Sequence, residues 1–575
     1  MSKILRVKMG KTPEYSVSDE EKYSGLGGRA LTSKIVSEEV PPLCHALGEE
    51  NKLVIAPGLL AGSAAAISGR ISVGCKSPLT GGIKEANAGG QAGQVLARAG
   101  YAAIVIEGPG NGDLYKIVVT KDSVDIVKAN ELKGLGNYDT VEKLRSEHGD
   151  KVAYMSIGPA GEMKMAAASI ACSDVELRPT RHCGRGGVGA VLGSKGVKAI
   201  VIDDSGCKNR QPVDEEKFRA ANKEFVAGLK KNPTTGEGLP AYGTNVLVNV
   251  INESGGFPTR NFSTGQFENA QKISGETQAE LEIKRGGTAT HGCHRGCVIQ
   301  CSGTYNDKDG NYLTKQPEYE TVWAHGANCG IDDLDVIANL DRLDDDFGLD
   351  TIEMGATVGV AMEAGIIEFG DGEGAIKLIK EVGAGTPLGR ILGGGAAATA
   401  KAFGIERAPV VKGQAMPAYD PRPIQGIGVT YATTPMGADH TAGYAIATNI
   451  MKVGGFVDPL KPEGQVELSR ALQITTAAVD STGFCLFIAF AVMDQPETFN
   501  AMIDLINGFT GANLTADDVS QLGKDVLSWE RKFNKEAGFT KAHDRLPMYF
   551  KREALTPHNA VFEVTDEELD SVFNW

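Results

Sequence analysis

No stretch of this 575-residue chain is apolar over the roughly 18 residues that a bilayer span demands. The apolar run at 485–493 is far too short, so no membrane role is expected. The opening MSKILRVKMGKTPEY lacks the apolar core and cleavage site of an export signal, and a cytoplasmic location is the expectation. Basic charge in excess is missing as well. The net charge of −15 argues against a nucleic-acid partner, whose phosphates call for clustered Lys and Arg. There is no low-complexity tract to explain the one marked excess, glycine, at 73 residues against a usual ~7%. Glycine spread through folded sequence implies tight turns or close backbone approach to a ligand, and a large cofactor is the favoured reading. Ten cysteines in an unexported chain point to metal or redox chemistry before disulfides.

The length sets a prior of two to four domains. Short β-branched runs at 4–7, 53–56, 71–73, 103–106, 115–120 and 199–202 alternate with Gly- and Pro-containing turns and predict strands. After a polar stretch at 203–213, apolar residues recur at helical spacing over 214–231, 332–346, 351–364, 388–403, 467–479 and 516–533. A proline-rich stretch at 408–426 marks a second division. The expected fold is therefore α+β and multidomain. A β-rich domain spans 1–210, and two mainly helical domains span 211–415 and 416–575.

Cys293, Cys297 and Cys301 stand in HGCHRGCVIQCSG. One loop can thus supply several thiolates to an iron–sulfur cluster. A structural zinc site and a helical stripe at i, i+4, i+8 are the competing readings, and the radical-SAM spacing C-x3-C-x2-C is missed. Spacing leaves the fourth ligand open between Cys329 and Cys485. A second pattern, D-x-x-G-[LF]-[DC], occurs at 345–350 and again at 480–485. A carboxylate there can accept paired hydrogen bonds from a pterin edge while the glycine admits the ring; the competing role is helix capping. The second copy ends in Cys485, placing a cluster ligand beside the pterin site.

Gly184–Gly189 matches G-x-G-x-x-G, with Asp203 and Asp204 about twenty residues on. The charged, proline-broken segment at 176–181 offers no strand before it, and too little chain precedes Ala199 for a crossover helix, so a dinucleotide site is not expected. Arg181, Gly184 and Arg185 still suit an anion such as a cofactor phosphate.

With these pieces in place, the chain resembles the aldehyde:ferredoxin oxidoreductase family of tungsten–pterin enzymes, nearly end to end. NKLVIAPGLLAGSAAAISGRISVGCKSPLTG, ANAGGQAGQVLARAGYAAIVIEG, SIGPAGE, GRGGVGAVLGSKGVKAI, PEYETVWAHGANCGIDDL, GLDTIEMGATVGVAMEAG, YDPRPIQGIGVTYAT and DSTGFCLF follow in the family's order. The resemblance implies tungsten, or molybdenum, held by two pterins near a [4Fe–4S] cluster. By position Cys293, Cys297, Cys301 and Cys485 match the cluster ligands. Asp345, Gly348, Leu349, Asp350, Asp480, Gly483 and Phe484 fall in the pterin-contacting repeats. Arg70 matches the arginine linking pterin and cluster, and Asn87 the residue whose carbonyl helps hold a Mg²⁺ between the pterin phosphates, with Gly89 and Gly90 in the adjoining loop. Glu320 and His440 match the two side chains that act beside the metal.

Four departures stand out. The first cysteine spacing is one residue longer than the family's. Asn339 and Arg342 replace the E-x-x-H of a dimer-bridging iron site, which leaves a homodimer open. The region 366–403 is shorter, and His325 stands where an apolar residue is usual, either shaping the pocket or simply packed. The implied reaction interconverts an aldehyde and its carboxylic acid, with Glu320 as base, His440 stabilising charge on the carbonyl oxygen, and electrons passing to ferredoxin or a small Fe–S subunit. Reduction of another substrate such as an aromatic thioester, or a non-catalytic electron-transfer role, are the alternatives.

Overall fold

The computed structural model describes residues 2–575. Its N-terminal part is built from two six-stranded sheets. The first runs, in spatial order, Glu14–Asp19, Lys3–Lys8, Ala103–Glu107, Leu53–Pro57, Ile71–Lys76 and Ile83–Ala88. The second runs Val124–Lys128, Tyr115–Val119, Val197–Ile202, Ala153–Ser156, Ile170–Cys172 and Arg181–Cys183. The two orders are the same, strand for strand. So are the directions: each sheet has one parallel pairing, between its first and last strands in sequence, and is otherwise antiparallel. A helix follows the outer hairpin in both halves (Gly28–Glu39 and Asn137–His148), and a short one precedes the closing strand (Ala92–Arg98 and Val188–Ser194). The domain is a structural duplication. Its central strands Leu53–Pro57, Ile71–Lys76 and Val197–Ile202 are buried at every position, as strands covered on both faces must be.

Beyond residue 202 the chain is mainly helical, and the helices predicted at 214–231, 332–346, 351–364, 467–479 and 516–533 are Glu215–Lys231, Leu334–Phe347, Thr351–Glu363, Gln465–Thr482 and Ala516–Glu536. Two expectations need correction. The single helix predicted over 388–403 is two, Pro387–Leu392 and Ala396–Phe403. The break at Gly393–Gly395 lets the Glu353 carboxylate accept the Ala396 and Ala415 N–H groups, each at 2.9 Å. The glycine run at 184–189 does follow a strand, Arg181–Cys183, and opens a helix, Val188–Ser194. That strand is nevertheless the outermost of its sheet. Val197–Ile202 lies three places away with three antiparallel pairings between them, whereas a dinucleotide unit needs a parallel crossover.

A small three-stranded sheet, Thr288–His291, Ser302–Asn306 and Tyr312–Lys315, interrupts the helices and carries the cysteine loop between its first two strands. No described helix is long and apolar enough to cross a membrane.

Candidate functional site

The two D-x-x-G turns are one device used twice. Gly348 ends the helix Leu334–Phe347 and Gly483 ends Gln465–Thr482, both in the left-handed region at φ 72° and 92°, where a side chain would be strained. Each turn is gripped by the loop that enters the fifth strand of one sheet. Ser169 N–H donates to the Gly348 carbonyl at 2.8 Å and Asp350 N–H to the Ala167 carbonyl at 2.9 Å. In the other half Arg70 N–H donates to the Gly483 carbonyl and Cys485 N–H to the Ile67 carbonyl, both at 3.1 Å. Ser169 and Arg70 each stand one residue before the strands Ile170–Cys172 and Ile71–Lys76, so they are counterparts. Asp350 and Cys485 are counterparts too. Leu349 bridges Ala168, and Phe484 is buried against Phe225, ring centroids 5.2 Å apart.

The repeat carboxylates differ in their fields. Asp345 lies 2.8 Å from Lys315 Nζ and 3.1 Å from His182 Nε2. Against the penalty of burial, the Lys315 ammonium, with the His182 contact beside it, holds the carboxyl down at about 2. Asp480 meets only Arg29, at 3.3 Å; burial and the nearby Glu85 push it up to about 7. His182 is the counterpart of Asn87. His182 Nδ1 pairs with Ser169 Oγ at 2.7 Å, while Asn87 Oδ1 accepts from Arg70 Nε at 2.5 Å. Sequence reading missed His182 and Arg29 because the duplication that relates or positions them leaves no side-chain pattern.

The cysteine loop sits against the Arg70 half. Cys293 Sγ, a ring nitrogen of His294 and Cys297 Sγ all lie within 4.8 Å of one another. His294 Nε2 already accepts the Gly69 N–H at 3.2 Å, while its Nδ1 is buried without a partner. The Ile67 peptide ties the loop to the second repeat: its N–H donates to the Gly296 carbonyl and its carbonyl accepts from Cys485. Cys297, Cys301 and Cys485 pack around one apolar cluster. Cys329 is elsewhere. It is fully buried in the helical core with Sγ 3.2 Å from the Ala324 carbonyl, and this removes it from the choice of fourth ligand that spacing left open. A Cβ at Gly89 would stand 2.9 Å from Cys293 Sγ and 3.3 Å from Arg70 Nη1, so the glycine is what admits the cysteine beside the arginine. Gly90 adjoins Ser173 and Arg181, and at Gly184 no atom lies within 4 Å of that position.

Glu320 opens the helix Tyr319–His325, and His440 lies in the loop before Ile446–Asn449. They meet, His440 Nε2 to Glu320 Oε1, at 3.3 Å. Glu320 Oε2 accepts the Ala418 N–H at 3.0 Å, while its Oε1 and His440 Nδ1 are buried without a hydrogen-bond partner. Burial pushes the Glu320 carboxyl up to about 8 and the His440 imidazole down to about 4, so both favour the neutral form. Four tyrosines wall the pair: Tyr319, Tyr419, Tyr431 and Tyr444 are all deeply buried or half-buried, and Tyr419 and Tyr444 share a hydroxyl contact of 2.9 Å. Tyr431 Oη has no partner. Arg185, expected to face an anion, donates to the Ala438 and Ala415 carbonyls at 2.7 and 2.6 Å and to Asp350 at 3.2 Å. It ties the first repeat to the loop of His440. Arg181 bonds Ser302 and Glu318 but keeps Nε unpartnered.

His325 is packed. Fully buried, it sets Nε2 2.6 Å from Asp344 Oδ2. The Asp344 carbonyl in turn receives the Leu349 N–H at 2.8 Å, so this pair braces the first repeat turn. Asn339 and Arg342 make ordinary structural contacts, Arg342 bonding the Leu313 carbonyl at 2.9 Å and lying over the Tyr138 ring.

Residues 4–204 match the model of the aldehyde ferredoxin oxidoreductase N-terminal domain, and residues 220–574 that of its domains 2 and 3. The chain belongs to the aldehyde ferredoxin oxidoreductase family. Among its relatives, the tungsten-containing aldehyde ferredoxin oxidoreductases of Pyrococcus horikoshii and Thermococcus kodakarensis are both 37% identical, over 96% of this chain and 92% of theirs. The family interconverts aldehydes and acids at a tungsten centre, and membership implies a tungsten–pterin cofactor. The aliphatic sulfonate oxidoreductase WOR-like subunit of Pyrococcus furiosus is 26% identical over 91% of this chain and 83% of its own. A solved structure, the active-site complex BamBC of benzoyl coenzyme A reductase with 1,5-dienoyl-CoA, shares the fold at a TM-score of 0.80. It covers 99% of this chain and 93% of its own at 19% identity.

Proposed function

We propose that the chain oxidises an aldehyde to its carboxylic acid, or runs the reverse, at a tungsten centre held by two pterins between the paired D-x-x-G turns. The observation that carries this reading is the facing pair Glu320 and His440, each with a buried polar atom left without a partner inside the family's fold. Buried polar atoms are rarely orphaned unless a ligand or water completes them. The residues fit the cofactor in other respects: two glycine turns, a carboxylate three residues before each, and the open space at Gly184. Asp345, Leu349 and Asp350 serve one pterin and Asp480, Gly483 and Phe484 the other, with Arg181, Asn87, Gly90 and a Mg²⁺ at the phosphates. A metal there supplies Lewis acidity and takes up the electron pair. Glu320, once deprotonated, accepts a proton from water or substrate, and His440, neutral, donates from its ring N–H to the carbonyl oxygen.

Cys293, Cys297, Cys301 and Cys485 would hold a [4Fe–4S] cluster, and Arg70, which shares the space over Gly89 with Cys293, would link it to the pterin site. All ten cysteines are free thiols, in keeping with a reducing, cytoplasmic setting. The cofactor domain ends near residue 210 and the helical domains divide near 415.

Purified under anaerobic conditions, the chain should contain tungsten and pterin. It should oxidise an aldehyde with ferredoxin or viologen as acceptor and form no NADH from NAD alone. Rapid NADH formation without a second protein would overturn the one-electron route.

Asp345→Ala and Asp480→Ala should each lower pterin and tungsten content, because each leaves pterin N–H donors unpaired at about 1–3 kcal/mol apiece. Elemental analysis and pterin fluorescence after oxidation are the measurements. Full occupancy in both variants would make these carboxylates structural.

A further inference from the structure

The cysteine loop reaches solvent, and the surface linked to it is charged against the trend of the molecule. Arg295 and Gly296, between Cys293 and Cys297, are exposed. A cleft of about 380 Å³ has a wall that includes Arg210, Arg219 and Lys223 with a single acidic residue, Glu215, and also Ala64 and Asn222. Hydrogen bonds link the cleft wall to the cysteine loop: Ala66 N–H donates to Asn222 Oδ1 at 3.0 Å, and at the next residue Ile67 N–H donates to the Gly296 carbonyl while the Ile67 carbonyl accepts the Cys485 N–H.

The chain carries −15 overall, yet residues 208–231 hold seven Lys and Arg against four Asp and Glu. Arg210 bonds the Leu59 and Ala61 carbonyls at 2.8 Å and lies over the Phe509 ring; no carboxylate neutralises it. Lys223 and Arg295 are exposed and join no ion pair among the described residues. Arg219 meets only Glu215, in a pair exposed by 77% and 61%, which solvent leaves weak. Lys217 and Lys231, by contrast, are paired with Asp504 and Glu497 on the helix Pro496–Thr510.

We propose that this basic face, formed by Arg210, Arg219, Lys223 and Arg295 over the cysteine loop, is the docking surface for an acidic one-electron iron–sulfur carrier protein. The proposal rests on the cluster reading given above. Electron tunnelling falls steeply with distance, so a carrier must approach close to the cluster ligands, and this face is joined to their loop through Ala66 and Ile67. Opposite charge raises the encounter rate and orients the carrier without demanding a large interface, as suits a partner that must leave after each electron.

The test reverses three charges, Arg219→Glu, Lys223→Glu and Arg295→Glu, in the holoenzyme. The probe is a purified acidic ferredoxin with two [4Fe–4S] clusters. Affinity of the resting enzyme for ferredoxin, measured without substrate, should fall at least about tenfold at low salt, and its dependence on ionic strength should flatten. Ferredoxin-linked kcat/KM should fall in parallel, with iron content and viologen-linked turnover unchanged. Reversal of Lys377, Lys380 and Lys401 controls for net charge and should have little effect. Ferredoxin affinity and salt dependence that match wild type, or that fall equally in the control, would overturn the docking assignment. Wild-type protein without cluster iron would instead overturn the cluster reading beneath it.

Discussion

Replacing Glu320 with Gln should lower aldehyde turnover by about 10²–10⁴, the range that loss of a positioned general base costs, with tungsten, pterin and iron contents unchanged. Glutamine keeps the shape and can still accept the Ala418 N–H through its carbonyl oxygen, so the helix Tyr319–His325 should stay in place. What it cannot do is take a proton at the atom facing His440 Nε2. The wild-type pH profile carries the second half of the prediction. Burial pushes Glu320 up to about 8, so the basic form predominates only above that value, and kcat should rise as pH increases through about 8. The variant should show a flat, low profile across the same range. His440 does not produce this limb, since burial lowers its pKa to about 4 and it is already neutral. Turnover within a few-fold of wild type would leave Glu320 as a structural carboxylate.

Which parts of the molecule were legible in its sequence follows from where side chains alone carry the signal. The central strands were readable because burial on both faces demands β-branched runs, and all six predicted runs are strands. Glu14–Asp19 was not, since every one of its residues is exposed; only pairing with Lys3–Lys8 makes it a strand. Ile170–Cys172 and Arg181–Cys183 are three residues each, too short for any period to show. Missing the latter led to the wrong reason for rejecting a dinucleotide site: a strand does precede the glycines, and topology excludes the fold instead.

The duplication of the two sheets was hidden for a related reason. Its one trace in the sequence is the repeated D-x-x-G turn; the contacts that join each turn to its sheet are backbone N–H and carbonyl groups, and the side chains at counterpart positions have diverged. Arg70 stands where the other half has Ser169, Asn87 where it has His182, and Cys485 where it has Asp350. That divergence is functional in sense. One half keeps an arginine and a cysteine and so turns towards the cysteine loop; the other keeps a histidine and an aspartate and turns towards Lys315 and Arg185. The candidate catalytic pair was named only through family resemblance. Glu320 and His440 are 120 residues apart in sequence, and nothing local marks either. The tyrosine wall went unassigned although YDPRPIQGIGVTYAT contains two of its members, because a buried tyrosine reads as core until its neighbours are known.

Cys297→Ser should strip most of the cluster iron, whereas Cys329→Ala should leave it in place. The pair of variants decides between the cysteines that spacing could not rank. A thiolate is the preferred donor to an iron–sulfur cluster, and in the proposed assignment Cys297 would contribute one from a loop that also holds Cys293 within 4.8 Å. A cluster left with one open iron exposes that iron to water, and Cys297 lies on the loop's solvent side, next to exposed Gly296. Loss should therefore be fast once the protein meets buffer. The repeat turns do not touch Cys297: their grip runs through Ile67, Arg70, Ala167 and Ser169. Tungsten and pterin should thus remain while viologen reduction collapses, a combination that general misfolding would not give. Cys329, with Sγ against the Ala324 carbonyl in the helical core, should cost some stability when truncated but no iron. Cys485→Ser should copy Cys297→Ser in iron loss and differ in one respect. Its residue closes the second repeat, so pterin content should fall as well. Iron analysis, the sulfide-to-iron absorbance and the reduced-cluster electron paramagnetic resonance signal read all three variants. Wild-type iron in Cys297→Ser, or iron loss in Cys329→Ala, would overturn the four-cysteine assignment.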